Sequence, residues 1–117
     1  MVVLDREKVY ILDGAMGTEI QKKLLDEKFF FYNNIFCDGL NDILCLTNPL
    51  VIESIHKEYI EAGATIIETN SFNANYISAR DYDLPDSVID DINYSSAQIA
   101  KRIASKYEDI LVAGVLG

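Results

Sequence analysis

The chain has 117 residues, 50% hydrophobic and 25% charged, with a formal net charge of −9. That balance supports one folded domain and excludes an unstructured chain. The acidity argues against a partner such as nucleic acid or anionic lipid, which needs a basic footprint, and no run approaches the ~20 apolar residues of a membrane span.

The first residues, Met-Val-Val-Leu-Asp-Arg-Glu-Lys, carry acids where a signal peptide would carry a basic region and a long apolar segment, so a cytoplasmic protein is expected. Val9 to Leu12 is a short apolar run that predicts a first strand. It ends at Asp13-Gly14-Ala15-Met16-Gly17-Thr18, where two glycines permit a tight turn and close approach to a ligand. Thr18 and Gln21 fit a capping box, placing a helix start at Glu19. Ile20 and Leu24 would share its buried face, and Glu19 and Lys23 are spaced for an ion pair. Gly14 and Gly17 make neither a dinucleotide fingerprint nor a phosphate loop.

Residues 26–47 read as an irregular loop folded over one end, with Phe29, Phe30 and Phe31 tucked in as packing. Cys37 and Cys45 are too sparse for a disulfide scaffold and too far apart for the usual metal-ligand spacing, so they read as reduced thiols. Asn48-Pro49 opens the next helix as N-cap and first turn. Ile52, Ile55, Tyr59 and Ala62 recur at helical spacing, and Gly63 is its C-cap. His56 has no acidic or thiol partner at ligand spacing and reads as a structural or exposed side chain.

Ala64 to Ile67 is a second buried parallel strand, delivering Glu68, Thr69, Asn70 and Asn73 at its C-terminal end. α/β proteins place ligands at such ends. The same Thr and Asn also read as the N-cap of a following helix. A short helix and turn over Asn73–Leu84 leads to Pro85, and Ser87 with Asp90 fits a capping box for a long helix over 88–106. Its buried stripe is Val88, Ile92, Ile99, Ile103 and Tyr107. Ile110 to Ala113 predicts a third strand, ending Gly114-Val115. The order β-α-α-β-α-β implies parallel strands whose polar ends share one sheet edge; a flavodoxin-like sheet is the structural alternative.

Three segments then carry a resemblance: Leu12 to Thr18, Ala62 to Asn73, and Val112 to Gly117. With Asn41-Asp42-Ile43-Leu44 and the helix around His56, they closely resemble the start of the homocysteine-binding domain of cobalamin-dependent methionine synthases and the homocysteine S-methyltransferase family generally. The resemblance implies an α/β fold, the first three β/α units of a TIM-type (β/α)8 barrel, with parallel strands near 9–12, 64–69 and 110–115. A whole barrel takes ~250 residues, so residues 1–117 are expected to form one partial, truncated domain.

The implied chemistry is methyl transfer to the sulfur of homocysteine, held as a zinc-bound thiolate, giving methionine. The family's zinc sits on three cysteines at positions this chain does not contain, and Cys37 and Cys45 do not match them. Cobalamin and folate belong to other domains of the family. The resemblance places Asp13 and Gly14 against the amino-acid part of homocysteine and puts Glu68, Thr69 and Asn70 along the pocket wall. It also implies that the chain alone is inactive until a complementary chain or a C-terminal continuation supplies the rest of the barrel. The competing expectation is a non-catalytic remnant or a small α/β binding or interaction module.

Overall fold

The computed structural model describes residues 3–116. Met1 and Val2, from the acidic N-terminal stretch, and Gly117, which closes the third resembling segment, lie outside the described residues. Helix α1 spans Met16–Lys22 and is followed by a 3-10 turn at Glu27–Phe30 and a hairpin of β1 (Phe31–Tyr32) and β2 (Ile35–Phe36). A second 3-10 turn, Asn41–Ile43, runs into α2 (Leu44–Thr47) and α3 (Pro49–Glu61). Then come β3 (Ile66–Glu68), α4 (Tyr76–Asp81), α5 (Asp86–Ala104) and β4 (Leu111–Ala113).

β3 and β4 are parallel, pairing Ile66 with Leu111, Ile67 with Val112 and Glu68 with Ala113. On the other side of β3, Leu12 makes a single parallel bridge to Ile66. The chain is thus α/β with short parallel strands. The strand expected over 9–12 is reduced to that one rung. The reason is Thr65, whose Oγ1 accepts the Ile11 N–H at 2.8 Å in place of a backbone carbonyl. The Ile11 carbonyl in turn accepts from both Thr65 N and Ile66 N. The strands expected at 64–69 and 110–115 are each three residues long.

α3 begins with Pro49 at its first turn, as the Asn-Pro pair predicts, although the Asn48 side chain makes no cap hydrogen bond. It ends in a Schellman motif: Gly63 N–H donates to Ile60 O, Ala64 N–H donates to Tyr59 O, and Gly63 has φ +114°. α5 presents Val88, Ile92, Ile99 and Ile103 inward, as the periodicity predicts. Two buried clusters result. The larger joins α2, α3, α4 and α5 through Leu44, Ile52, Ile55, Ala79 and Ile92; the smaller packs Ile67 of β3 against Ile60, Ala100, Ile103 and Ala104. His56 is fully buried, and neither ring nitrogen has a hydrogen-bond partner among the described residues. Burial pushes its pKa down to about 4.

Several expected details differ. α1 starts at Met16, with Ala15 as N-cap and no side-chain cap, so the Thr18–Gln21 capping box is not used. Leu24 lies beyond the helix at φ +50° and is 89% exposed, so it does not share the face of Ile20. Glu19 pairs with Lys22, and Lys23 reaches across to Glu58 of α3. α5 starts at Asp86 with Pro85 as its N-cap, so Ser87 and Asp90 do not box it. Residues 26–47 are ordered into turns, hairpin and helix. Asn33 and Asn34 both take positive φ (48° and 65°), the backbone of a type I′ hairpin turn. Phe29 and Phe30 pack on the core, but Phe31 is 42% exposed and stacks on Phe36 at 4.8 Å.

Gly63→Ala should lower the denaturation midpoint by the equivalent of about 1–2 kcal/mol, the backbone cost of a left-handed L-residue. A Cβ there meets no atom within 4 Å, so the loss would be backbone alone. The neutral His56 stabilises the fold above the unfolded-state pKa of about 6.5. Relative to His56→Leu, the wild-type urea midpoint should therefore fall as pH drops from about 6.5 toward about 4, while the raised pKa of Asp13 tilts both proteins the other way.

Candidate functional site

The C-terminal ends of the Leu12 segment, β3 and β4 open onto one cleft of about 500 Å³. Its lining includes Asp13 to Gly17, Asn41, Asp42, Glu68 to Asn73 and Val115. All five residues singled out from the sequence, Asp13, Gly14, Glu68, Thr69 and Asn70, lie on it.

Asp13 is held to β3 twice. Its N–H donates to Ile66 O at 2.9 Å, and its Oδ2 accepts the Glu68 N–H at 3.1 Å. Its Oδ1 is buried with no partner among the described residues. Burial, reinforced by the Glu68 carboxyl beside it, pushes the Asp13 pKa up to about 6, and the Glu68 N–H opposes this only partly. Glu68 is the half-buried last residue of β3. Gly14 sits under Tyr59, whose hydroxyl donates to Ala15 O at 2.7 Å. A Cβ on Gly14 would come within 2.9 Å of that hydroxyl oxygen.

Thr69 lines the cleft, but its hydroxyl is occupied. It accepts the Val115 N–H at 3.0 Å and lies 2.7 Å from Ser71 Oγ, which itself donates to Val115 O. Thr69 therefore stitches the β3 loop to the chain leaving β4. Asn70 is buried, its Nδ2 donating to Asn41 O at 3.1 Å and its carbonyl accepting from Cys45 Sγ. Asp42 is 2% exposed, and its Oδ2 accepts the Asn73 N–H at 2.8 Å. Burial raises its pKa against the pull of that N–H.

Asp13, Glu68 and Asp42 thus bring three carboxylates to one cleft with no Lys, Arg or His on its lining. Such a site is complementary to a cationic group. Met16 and the 63% exposed Phe72 add apolar surface at its rim. The wall formed by Asn41, Asp42, Ser71 and Val115 was not picked out as a site from the sequence. One signal was present: Asn41-Asp42 interrupts an otherwise apolar run from Leu40 to Leu46.

A metal ion does not fit the residues present. No three or more His, Cys, Asp or Glu side chains among the described residues are arranged to hold one. Cys45, buried and bonded to Asn70, has its thiol pushed up to about 12, and Cys37 donates to Ile35 O within its own turn. No helix among the described residues is long and apolar enough to cross a membrane.

A family model described as homocysteine S-methyltransferase matches residues 10–117. Among solved structures, the homocysteine methyltransferase MmuM of Escherichia coli, in its metallated form, superposes with a TM-score of 0.76 at 24% sequence identity. The match covers 95% of this chain and 38% of that one. At that identity the likeness speaks for the fold.

Gly14→Ala should push the Tyr59 hydroxyl off Ala15 and cost about 1 kcal/mol, the worth of one hydrogen bond. In a Tyr59→Phe background the same change should cost less, because that bond is already gone. A double-mutant cycle by urea denaturation measures this coupling.

Proposed function

We propose, for a chain that belongs to the homocysteine S-methyltransferase family, that its cleft takes the amino-acid end of homocysteine. It thereby forms part of the pocket for methyl transfer to the homocysteine sulfur, giving methionine. The observation that carries this reading is the meeting of Asp13, Glu68 and Asp42 in a cleft with no basic lining residue, with Asp13 Oδ1 buried and unpartnered. A substrate ammonium answers both features: it neutralises the charge and supplies the missing donor. Asp13 and Glu68 would hold that ammonium, Gly14 would let the backbone come close, and Asn70 and Asn73 would present polar atoms along one wall. Met16 and Phe72 would flank the methylene groups. Thr69 would support this wall through Val115 rather than touch the substrate.

We further propose that the three strand positions are the first of a (β/α)8 barrel of the methionine synthase type. In that reading the rest of the barrel, in a continuation or a complementary chain, closes the cleft. The half-open sheet supports it: β4 has no strand on its outer side among the described residues, and Ile11, Leu12 and Val112 are 52%, 56% and 39% exposed. Zinc in the family keeps the homocysteine thiol ionised; the described residues do not offer its ligands, and no step here runs through it. Cobalamin and folate would be handled by other domains.

L-Homocysteine titrated into the 15N-labelled chain should shift the amides of Asp13–Gly17 and Glu68–Asn73. Binding should strengthen as pH rises from 5 to 7, because Asp13 loses its proton near pH 6 while the ligand ammonium keeps its charge. No shift at these amides anywhere in that range, in the chain alone and in the chain joined to the rest of the barrel, would sink the reading. Asp13→Asn should abolish the shifts yet raise the melting temperature at pH 7. The sign follows from a folded-state pKa above the unfolded one: the Asp13 carboxylate destabilises the fold once pH passes through about 6, and the gain from Asn should vanish below about pH 4.

A further inference from the structure

We propose that Asp42 is a positioning residue, whose buried carboxylate holds the loop over residues 69–73 where Asn70 and Asn73 line the cleft. The inference rests on the reading of that cleft as a homocysteine site. Asp42 stands between Asn41 and Ile43 in a 3-10 turn that otherwise feeds the core, and Ile43 and Leu44 are fully buried beside it. A position at 2% exposure is ordinarily apolar, and a carboxylate persists there only where a donor meets it. That donor is the backbone N–H of Asn73, 2.8 Å from Oδ2 and 31 residues away in the chain.

Three further ties run between the same two segments: Asn70 Nδ2 to Asn41 O and to Cys45 Sγ, and Cys45 Sγ to Asn70 O. Of the four, only the Asp42 bond is charge-assisted, so it is the strongest. It also fixes the far end of the loop, past Phe72, where no strand constrains the backbone. Asp42 touches the loop rather than the ligand, and acts on binding through Asn70 and Asn73.

The test compares wild type, Asp42→Ala and Asp42→Asn by amide hydrogen exchange and by L-homocysteine titration. In Asp42→Ala, exchange at Asn73 should accelerate while amides of α5 such as Ile92 and Ile99 keep their protection. Affinity should fall roughly tenfold, the effect of losing one charge-assisted hydrogen bond. Asp42→Asn retains an acceptor oxygen and should recover much of both. Unchanged exchange at Asn73, or faster exchange there with unchanged affinity, overturns the role of Asp42. Equal acceleration throughout α5 in both variants overturns it too, because Asp42 would then hold the fold and not the loop. A wild-type chain that shows no shifts with homocysteine, alone and joined to the rest of the barrel, fails earlier, and it removes the ligand reading together with the inference built on it.

Discussion

The parallel register of β3 is the constraint on which the cleft depends. Leu12, Ile66 and Leu111 stand side by side, so the three segments finish together and release Asp13, Glu68 and Val115 at one edge. Side chains alternate along a strand, so a slip of one residue exchanges the faces. Ile67 would then leave the pocket of Ile60, Ala100, Ile103 and Ala104, and Glu68 would enter it. An unpaired carboxylate in that apolar cluster is far costlier than the loss of one isoleucine contact. Hydrophobic burial on the helical side therefore fixes the placement of the acidic group on the open side.

Strand ends alone do not make a wall, and the remainder is built from bonds between distant parts of the chain. Asp13 Oδ2 takes Glu68 N, Asp42 Oδ2 takes Asn73 N, Thr69 Oγ1 takes Val115 N, and Asn70 Nδ2 gives to Asn41 O. Each pairs a side chain with a backbone group, and each spans at least 29 residues. The polar side chains here serve twice, satisfying loop backbone that has no ladder partner and setting the shape of the cleft.

Helices α3 and α5 were legible because their periodicity is strong and long: Ile52 and Ile55, then Val88, Ile92, Ile99 and Ile103, all fall where spacing puts them. The second and third strands were legible as short β-branched runs, and their polar ends were legible as a shared edge. The first strand was overread, because apolar content cannot reveal that Thr65 Oγ1 would take the rung at Ile11. The capping boxes were overread for a related reason: Ala15 and Pro85 already sit in extended conformation one residue before the helices, so the later Thr18 and Ser87 fall inside them. The Asn33-Asn34 turn carried a readable hairpin signal, since asparagine tolerates positive φ, but the aromatic cluster beside it drew the reading toward packing. Asp42 showed in the sequence only as a polar interruption of the apolar run Leu40 to Leu46; its part in the wall did not show, because its partner is a backbone N–H, which has no letter in a sequence.

The charge arrangement explains why such a cleft should carry function. Asp13 and Asp42 both have their pKa raised, each chiefly by burial, so each carboxylate costs the fold something at neutral pH. Asp42 has a strong donor to offset that cost, whereas Asp13 keeps one buried oxygen without any among the described residues. A cation that binds there returns what burial took away, and it binds the folded chain alone. By mass action the ligand then stabilises the fold that forms its site. The core formed by α2, α3, α4 and α5 reaches the cleft through Ile43, Cys45 and Met16. Under the proposed reading, the residues that weaken the empty protein would strengthen the occupied one.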